Sequence, residues 1–491
     1  MAIKAIIIGA GYGGLSCAAL LAKEGYDVHV IDKIEQAGGK GSLLQEEGFS
    51  FDMGPSWYLM PDVFEKFFSE FGKKPEDYYT IKRLDPSYRI YFGKDDKIDI
   101  SPRIEDNAEL FDKLEENGRK KFLDYLAQSE YQYNVAMKDF VYKRYTKITD
   151  FFNKRMATEG MKLKVLKNFD KHVSTYFKSD KAKKILEYNI VFLGGTPYNT
   201  PALYSIMTHV DFNLGVWYPI GGLNAVAKGI EKLALEHNAK FTYNHTAEKI
   251  IVENGRAVGV MTNKGRIDAD IVVVNADMPH AEISLLDKKY QSYNEKYWEK
   301  KTIAPSGFIM YLGVKRKVKG LEHHNLFLDN DWMKHFDQIF KKPGWPDNPS
   351  YYVCAPTITE PETAPNGMEN LFILVPVAAD LEDNNDIREE YASDIIRHLG
   401  SIIGDDFSKD IVYKKIFAHN DFIQRYNAYK GTALGLSHTL MQSALFRPDV
   451  KSKKVKSLYY TGQYVHPGIG VPMVIIASDI LRGVILNEHP L

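Results

Sequence analysis

The sequence predicts an α/β fold built around a parallel sheet, and three features of the chain indicate it. An apolar strand, Ala5–Ile8, runs directly into a glycine-rich turn and then into an alanine- and leucine-rich helix. A second strand, Asp27–Ile31, follows that helix and leads to an acidic residue. Near the other end of the chain, a short strand closed by a glycine precedes another apolar helix. Strands that alternate with helices are typical of parallel sheets, because each crossover needs a connection long enough for a helix.

The turn after the first strand carries the spacing Gly9-x-Gly11-x-x-Gly14. In a strand–turn–helix unit the first glycine permits the tight turn, the second lets the backbone approach a pyrophosphate, and the third allows close packing. The helix N-terminus adds free N–H groups and a partial positive charge. Asp32 follows Gly14 by 18 residues, where an acidic side chain can accept hydrogen bonds from a ribose. We therefore predict an adenine-dinucleotide site in a Rossmann-like domain.

A signal peptide or membrane anchor is the alternative interpretation of this segment. Residues 5–22 carry no charge, and Lys4 precedes them. Four glycines in the middle of the segment disfavour a stable membrane-spanning helix. The second strand also brings Asp32 to the position that the nucleotide requires, so we favour the dinucleotide site.

Length and composition limit the remaining possibilities. A chain of 491 residues favours two closely joined domains, and 44% hydrophobic and 26% charged residues are ordinary for a globular protein. The two cysteines, Cys17 and Cys354, exclude a disulfide framework and fit a reducing cytoplasm. The apolar C-terminal run 471–486 is interrupted by Asp479 and Arg482, so we expect no transmembrane segment there.

Positive charge is concentrated between residues 138 and 184. This segment holds 14 Lys and Arg against five Asp and Glu, together with many aromatic side chains. Basic and aromatic residues mixed on helices suit an anionic membrane surface, but a solvated face over a buried one explains the pattern equally well. No nucleic-acid-binding motif accompanies the charge, so we expect no nucleic-acid partner.

The order of the predicted elements indicates a discontinuous domain with an insertion. Near both ends of the chain and around residue 250, the sequence predicts strands together with apolar helices. Between these parts it predicts first polar helices and then further strands. We assign residues 1–95, 215–290 and 425–491 to the nucleotide-binding domain and 96–214 and 291–424 to a substrate domain, with 105–187 largely helical.

Over essentially its whole length the chain resembles the bacterial-type phytoene desaturases, which are carotenoid-forming flavoproteins. Besides the first glycine turn, the motifs that carry the resemblance are Gly38-Gly39-Lys40, Phe51-Asp52-Met53-Gly54-Pro55-Ser56, Gly215-Val216-Trp217-Tyr218-Pro219-x-Gly221-Gly222 and Gly462-x-x-x-x-Pro467-Gly468-x-Gly470. The resemblance implies a discontinuous Rossmann-like FAD-binding domain, an inserted mixed-sheet substrate domain, a helical membrane-facing region and a long hydrophobic polyene as substrate.

The resemblance also implies a set of cofactor contacts. Lys40 stands where Arg is commoner, and it keeps the charge but lacks the planar fork. Gln463 stands where amine oxidases of this fold usually carry an acid, which favours the desaturase branch. The residues expected to contact FAD are Gly9, Gly11, Gly14, Asp32, Lys33, Gly39, Lys40, Gly54, Pro55, Ala247, Gly462, Gln463, Gly468, Gly470, Val471 and Pro472.

The implied reaction requires little acid–base catalysis by side chains. Making a C=C bond removes a hydride and a proton, and flavin supplies the hydride acceptor. We identify no catalytic side chain; His466, in the turn expected beside the flavin, is a candidate polar neighbour, with a structural role favoured. His323 and His324 lack a ligand spacing and have aliphatic neighbours, so we expect no metal site.

The predicted function is FAD-dependent desaturation of phytoene towards lycopene in carotenoid biosynthesis. A C30 carotenoid desaturase or a carotenoid isomerase is the alternative within the family. A flavin amine oxidase is disfavoured by Gln463, and a non-catalytic lipid-binding escort by the intact dinucleotide motif. An insoluble substrate implies a cytoplasmic enzyme bound peripherally to the membrane, with oxygen or a quinone as electron acceptor.

Overall fold

Two β-sheets organise the protein in the computed structural model, which describes residues 2–147 and 167–491. One sheet has five strands and the other has seven, and three smaller sheets join them. The strands are β1 Lys4–Ile8, β2 Asp27–Ile31, β3 Leu43–Glu46, β4 Phe49–Asp52, β5 Ile81–Arg83, β6 Tyr88–Gly93, β7 Asp96–Ile100, β8 Trp217–Pro219, β9 Lys240–Thr242, β10 Ala247–Glu253, β11 Arg256–Thr262, β12 Gly265–Asp268, β13 Ile271–Val274, β14 Ser306–Val314, β15 His324–Phe327, β16 Tyr351–Cys354, β17 Glu369–Val377, β18 Ile411–Phe417 and β19 Leu458–Tyr460.

The α-helices of the described residues lie between these strands, in the alternation that the sequence predicts near both ends of the chain. They are α1 Tyr12–Glu24, α2 Pro61–Ser69, α3 Ile104–Leu114, α4 Gly118–Ala136, α5 Phe169–Val173, α6 Asp180–Glu187, α7 Ile206–Thr208, α8 Gly222–Glu236, α9 Met278–Ser284, α10 Glu295–Glu299, α11 Trp332–Phe340, α12 Asn385–Ile403, α13 His419–Tyr426 and α14 Val471–Glu488. The α/β class predicted from the sequence is confirmed.

The five-stranded sheet is parallel throughout, in the order β19-β13-β1-β2-β9. Ile7 lies opposite Val30 on one side and Val273 on the other. Both faces of the central strands are buried, which explains their continuous apolar sequences. The sheet therefore collects strands from the first, middle and last parts of the chain.

Helices from both ends of the chain pack together on this sheet. Helix α1 is buried along most of its length and ends at Gly25, whose φ of 105° permits a left-handed cap. Ser478 of α14 donates a hydrogen bond to the Gly13 carbonyl at 2.7 Å. The first and last helices are thus joined at the glycine turn.

The seven-stranded sheet has the order β18-β14-β17-β16-β15-β6-β7 and is antiparallel except for the β15–β6 pair. All nine residues of β14 are buried. Alternate side chains such as Phe308 and Met310 face the core that α12 shares, and Ile309 and Tyr311 face the opposite core. Two hydrophobic layers thus enclose this sheet.

The predicted boundary at residue 95 falls inside a hairpin. Strand β6 pairs with β7, with Tyr88 opposite Ile100, and both belong to the seven-stranded sheet. Residues 88–95 therefore pair with the predicted substrate domain, because an antiparallel hairpin cannot be divided without breaking its hydrogen bonds. The other boundaries stay predictions.

In the described part of the basic segment, residues 138–141, 169–173 and 180–184 are helical and the residues between them form turns or irregular backbone. Residues 148–166, which include Lys162 and Lys164, lie outside the described residues. Phe169 and Phe177 are buried, whereas Lys171 and Lys178 are exposed. This described part has solvated lysines over a buried aromatic face. In the described ranges, no helix combines the length and the apolar character that crossing a bilayer requires.

Candidate functional site

The glycine turn has the tight geometry that its spacing predicts. Gly9 has a φ of 105°, and a Cβ atom on Gly14 would lie 1.9 Å from the Gly9 carbonyl oxygen. The second glycine loop packs against this turn, because the Gly38 N–H donates to the Ala10 carbonyl at 2.9 Å. A Cβ on Gly39 would lie 3.1 Å from the Gly11 Cα. Where the two loops meet, there is therefore no space for a side chain.

Helix α1 begins at this turn with its N-terminus uncapped. Gly11 is the N-cap, no side chain accepts from the first turn, and that turn contains no acidic residue. Helix α14 begins in the same way at Gly470, followed by Val471 and Pro472. Free N–H groups at a helix N-terminus bind anions such as phosphate.

Asp32 lies buried immediately after β2. Its carboxylate accepts hydrogen bonds from the Ala10 N–H at 2.6 Å and the Ile34 N–H at 2.8 Å. Burial raises the pKa of Asp32, although these two bonds favour its charged form. The neighbouring Lys33 donates to the Gln424 carbonyl at 2.7 Å and to the Asn427 side chain at 3.0 Å. Asp32 thus stabilises the glycine turn, and Lys33 connects the end of β2 to residues 424–427.

Lys40 reaches from the second glycine loop to the C-terminal segment. Its ammonium donates to the Ala433 carbonyl at 2.6 Å and to the Gln463 side-chain oxygen at 3.2 Å. Burial lowers the pKa of Lys40 to about 8, while the nearby Asp277 favours the charged form. Tyr464 donates to the Asp277 carboxylate at 2.7 Å. Burial in turn raises the pKa of Asp277 to about 6.

Gly54 and Pro55 follow β4 directly beneath this lysine. A Cβ on Gly54 would lie 2.6 Å from the Lys40 carbonyl oxygen. Asp52, the last residue of β4, caps α8 by accepting from the Leu223 N–H at 2.7 Å and the Asn224 N–H at 3.1 Å. Burial raises the pKa of Asp52 to about 7. The carboxylate therefore stabilises the start of a helix.

The C-terminal turn closes over the first one. A Cβ on Gly462 would lie 3.0 Å from the Asn275 side-chain oxygen, and one on Gly468 would lie 2.2 Å from His438 Nε2. His466 lies on the other side of this turn, with Nε2 3.0 Å from the Val141 carbonyl. Its contact is therefore with the start of the basic segment. Ala247 begins β10, opposite Thr262 in the three-stranded sheet.

Sequence reasoning missed two residues of this site. Asn275 follows β13 and donates to the Gly9 carbonyl at 3.2 Å, and its side chain also lies against Gly13 and Gly462. The carboxyl end of a parallel strand was the signal that could have found it. Arg447 is buried and donates to four backbone carbonyls, those of Leu436, Gln442, Gln463 and Tyr464. No local sequence pattern marks Arg447.

An apolar cavity of about 120 Å³ lies beside this cluster. One wall is the seven-stranded sheet, and the other is formed by Trp332 and Phe336 of α11. Ala433 and Leu434 line one part of it, and the Ala433 carbonyl is the group that accepts from Lys40. The cavity therefore borders the Lys40–Gln463 contact.

These features fit a bound dinucleotide. Two uncapped helix N-termini suit its phosphates, and the glycine loops allow its close approach. Lys40 offers a buried positive charge where the loops meet, and the adjoining cavity is lined mainly by apolar side chains. The residues could therefore hold an anionic cofactor with one end beside an apolar chamber.

Several known proteins have sequences related to that of this chain. The chain matches the family described as flavin containing amine oxidoreductase over residues 12–478. It is 46% identical to a carotenoid 3,4-desaturase of Haloarcula japonica, with 96% of each chain covered. It is 32% identical to a zeta-carotene-forming phytoene desaturase of Myxococcus xanthus, covering 97% of this chain and 93% of that one. A 4,4'-diapophytoene desaturase of Staphylococcus haemolyticus is 31% identical over 98% of both chains.

Solved structures agree on the fold. A putrescine oxidase bound to putrescine superposes with a TM-score of 0.63 at 12% identity, covering 99% of both chains. An oxidoreductase of Methanosarcina mazei superposes with a TM-score of 0.62 at 17% identity, covering 97% of this chain and 99% of that one. The family resemblance inferred from the sequence is confirmed. The chain belongs to the carotenoid desaturase family of flavin-containing amine oxidoreductases.

Proposed function

We propose that the protein is an FAD-dependent desaturase that introduces C=C bonds into a long polyisoprenoid, converting phytoene towards lycopene. The observation that carries this proposal is the apolar cavity, which meets the Lys40–Gln463 contact at Ala433. A polyene needs an apolar chamber, and desaturation needs that chamber to open onto the cofactor. The position of the cavity beside the Lys40–Gln463 contact supports this proposal.

In this proposal the glycine turn and Asp32 hold the adenosine half of FAD, with the pyrophosphate at the α1 N-terminus. Lys40 and the turn from Gly462 to Pro472 hold the flavin half. The buried charge of Lys40 suits a group that gains negative charge on reduction. Of the remaining predicted contacts, Lys33, Gly39, Gly54 and Pro55 shape or brace the loops around FAD, and the backbone of the strand that begins at Ala247 holds the adenine.

When bound, FAD supplies the hydride acceptor for desaturation. The chain then has to align an allylic C–H bond of the substrate and keep water away. Leu326, Leu374 and Leu434 line the cavity with aliphatic surface suited to that alignment. Because the cation left by hydride loss is delocalised over the polyene, the reaction requires little help from side-chain acids or bases.

A second candidate is desaturation at the 3,4 position of a carotenoid that is already conjugated. The Haloarcula relative named for that reaction is 46% identical to this chain, against 32% for the phytoene desaturase. The 4,4'-diapophytoene desaturase, which would correspond to C30 desaturation, is 31% identical to this chain. These activities differ in substrate but use the same site.

Expression in cells that accumulate phytoene, and separately in cells that accumulate lycopene, distinguishes the candidates. Chromatography of the pigments from the first cells should show lycopene or its precursors if phytoene is the substrate. A new, more conjugated pigment from the second cells alone would instead support 3,4-desaturation. Unchanged pigments in both, despite soluble flavin-loaded protein, would overturn the proposal.

We also propose that the cytoplasmic enzyme binds a membrane peripherally, since its substrate is insoluble in water. Lys171 and Lys178 are exposed on the basic segment and available to anionic lipid headgroups. Reversing both charges should reduce co-sedimentation with anionic vesicles. Reversal of Lys232 and Lys264, outside that segment, is the control, and equal binding of both variants would contradict the proposal. Oxygen and quinones are the candidate electron acceptors, which reoxidation kinetics of the reduced enzyme can separate.

A further inference from the structure

A cluster of two histidines and a cysteine lies apart from the Lys40–Gln463 contact, within the seven-stranded sheet. His323, His324 and Cys354 are all buried. One ring nitrogen from each histidine and the Cys354 sulfur lie within 4.8 Å of one another. Three such atoms at this spacing can converge on one metal ion after small side-chain movements.

Strand pairing explains why these residues meet. His324 begins β15 and lies directly opposite Cys354, which ends the antiparallel strand β16. Directly opposed residues project from the same face of a sheet. His323 precedes the strand, and its carbonyl accepts from the Ala355 N–H at 2.9 Å, which holds it at the same end of the pair. The backbone therefore fixes all three positions.

The two imidazole rings are also held in orientation. His323 Nδ1 lies 2.8 Å from the Thr359 hydroxyl, and His324 Nδ1 lies 2.6 Å from the Tyr352 hydroxyl. Trp57 stacks on His324, with ring centroids 4.2 Å apart and planes 8° from parallel. A hydrogen bond on the second ring nitrogen orients metal-binding histidines, and here the Thr359 and Tyr352 hydroxyls make that bond.

The second nitrogen of each ring points to an occupant. In the described part of the chain, Nε2 of His323 and Nε2 of His324 are buried and make no hydrogen bond. Buried polar atoms without a partner are rare because their desolvation is not compensated. Two such atoms in adjacent rings of this cluster are explained together if an ion accepts their lone pairs.

We propose that His323, His324 and Cys354 bind a thiophilic first-row cation, either Zn²⁺ or Cu⁺. Imidazole and thiolate ligands favour these ions, whereas Mg²⁺ and Ca²⁺ prefer oxygen ligands. The expectation of no metal site rested on the lack of a ligand spacing in the sequence, and the third ligand comes instead from a distant strand. Because Tyr352 lines the apolar cavity, the ion would brace the wall of that cavity.

Metal analysis of the full-length protein tests this site. The protein is expressed in zinc-supplemented and in copper-supplemented medium, purified without chelator, and analysed by mass spectrometry of the elements. We expect about one zinc or copper ion per chain. Cys354→Ala should lose most of that metal, whereas Cys17→Ala, at the other buried cysteine, should keep it.

Expression in cobalt-supplemented medium gives an independent readout. A thiolate ligand to Co²⁺ produces a charge-transfer band in the near ultraviolet, which Cys354→Ser should abolish and His324→Gln should alter. Circular dichroism verifies that the variants fold, and His324→Gln replaces the cysteine variants if those do not. Wild-type protein without zinc, copper or the cobalt band would overturn the proposal, as would equal metal content in Cys354→Ala and Cys17→Ala.

Discussion

The Lys40 ammonium lies 3.2 Å from the side-chain oxygen of Gln463, a residue 423 positions later in the chain. The same ammonium donates to the Ala433 carbonyl at the edge of the apolar cavity. One buried charge thus joins the first glycine-rich region, the C-terminal turn and the cavity wall. This is where the proposed flavin and polyene would meet.

Lys40→Met should weaken FAD binding. A hydrogen bond to a charged group contributes about 1.5–3 kcal/mol, so the FAD dissociation constant should rise roughly 10- to 100-fold. The variant also leaves the Ala433 carbonyl and the Gln463 side-chain oxygen without their donor and Asp277 without a nearby positive charge, so the apoprotein should lose some stability as well. Fluorescence titration with FAD and thermal unfolding measure the two effects.

Lys40→Arg is the matched control, because it keeps the positive charge that the proposal requires. We expect it to bind FAD within a few-fold of the wild type. If Lys40→Met binds FAD as tightly as Lys40→Arg, the lysine does not contact the cofactor.

Gly14→Ala should prevent formation of the turn. Its Cβ would lie 1.9 Å from the Gly9 carbonyl oxygen, so the first strand and helix would have to separate. We expect a loss of at least about 3 kcal/mol in the free energy of unfolding and no FAD retention. Denaturant unfolding and flavin absorbance measure both.

Gly483→Ala in α14 is the control for this change. A Cβ there meets no atom within 4 Å, and alanine favours helix, so stability should stay the same or rise by about 0.5–1 kcal/mol. Equal stability of the two variants would show that the Gly9–Gly14 contact does not constrain the fold.

Leu374→Trp should block the cavity while the flavin stays bound. Leu374 lines the chamber from β17, and a larger ring would occupy space that the polyene needs. We expect at least a tenfold loss of desaturation with an unchanged flavin spectrum. Met333→Trp, on an exposed position of α11, should keep activity. Equal activity of both variants would place the substrate elsewhere.

Glu187→Gln should change how stability depends on pH. Burial raises the pKa of Glu187 from 4.5 to about 8, and its Oε1 makes no hydrogen bond to any described residue. Between these two values the folded state keeps a proton that the unfolded state releases, so stability falls as pH rises through this range. The glutamine variant lacks this loss.

The stability difference between Glu187→Gln and the wild type should therefore be small at pH 4.5 and reach roughly 2–4 kcal/mol above pH 8. Denaturant unfolding at the two pH values measures it. Glu109→Gln, at an exposed position of α3, should show no such change. A difference at Glu187 that is the same at both pH values would contradict the assignment.

The parts of the site that depend on local sequence could be predicted. Gly9, Gly14 and Asp32 belong to one strand–turn–helix–strand unit whose geometry follows from glycine sterics and strand length. Asn275 could have been predicted too, since it directly follows a buried strand of the same parallel sheet. Its side chain lies against both glycine-rich turns.

The remaining features depend on tertiary contacts. Arg447 is buried because the C-terminal turn folds around it, and Cys354 meets His324 through strand pairing across 29 intervening residues. The predicted domain boundary at residue 95 falls in a charged turn. A turn inside a hairpin and a linker between domains can have the same composition. Neither the hydrophobic periodicity nor the spacing of motifs in the sequence reveals such tertiary contacts.

Anaerobic mixing of the FAD-loaded protein with vesicles that contain phytoene or lycopene tests whether the bound flavin oxidises a carotenoid substrate. We expect one of the two substrates to bleach the oxidised flavin absorption and to yield about one new C=C bond per flavin reduced. An unchanged flavin spectrum with both substrates, in protein that retains FAD, would contradict it.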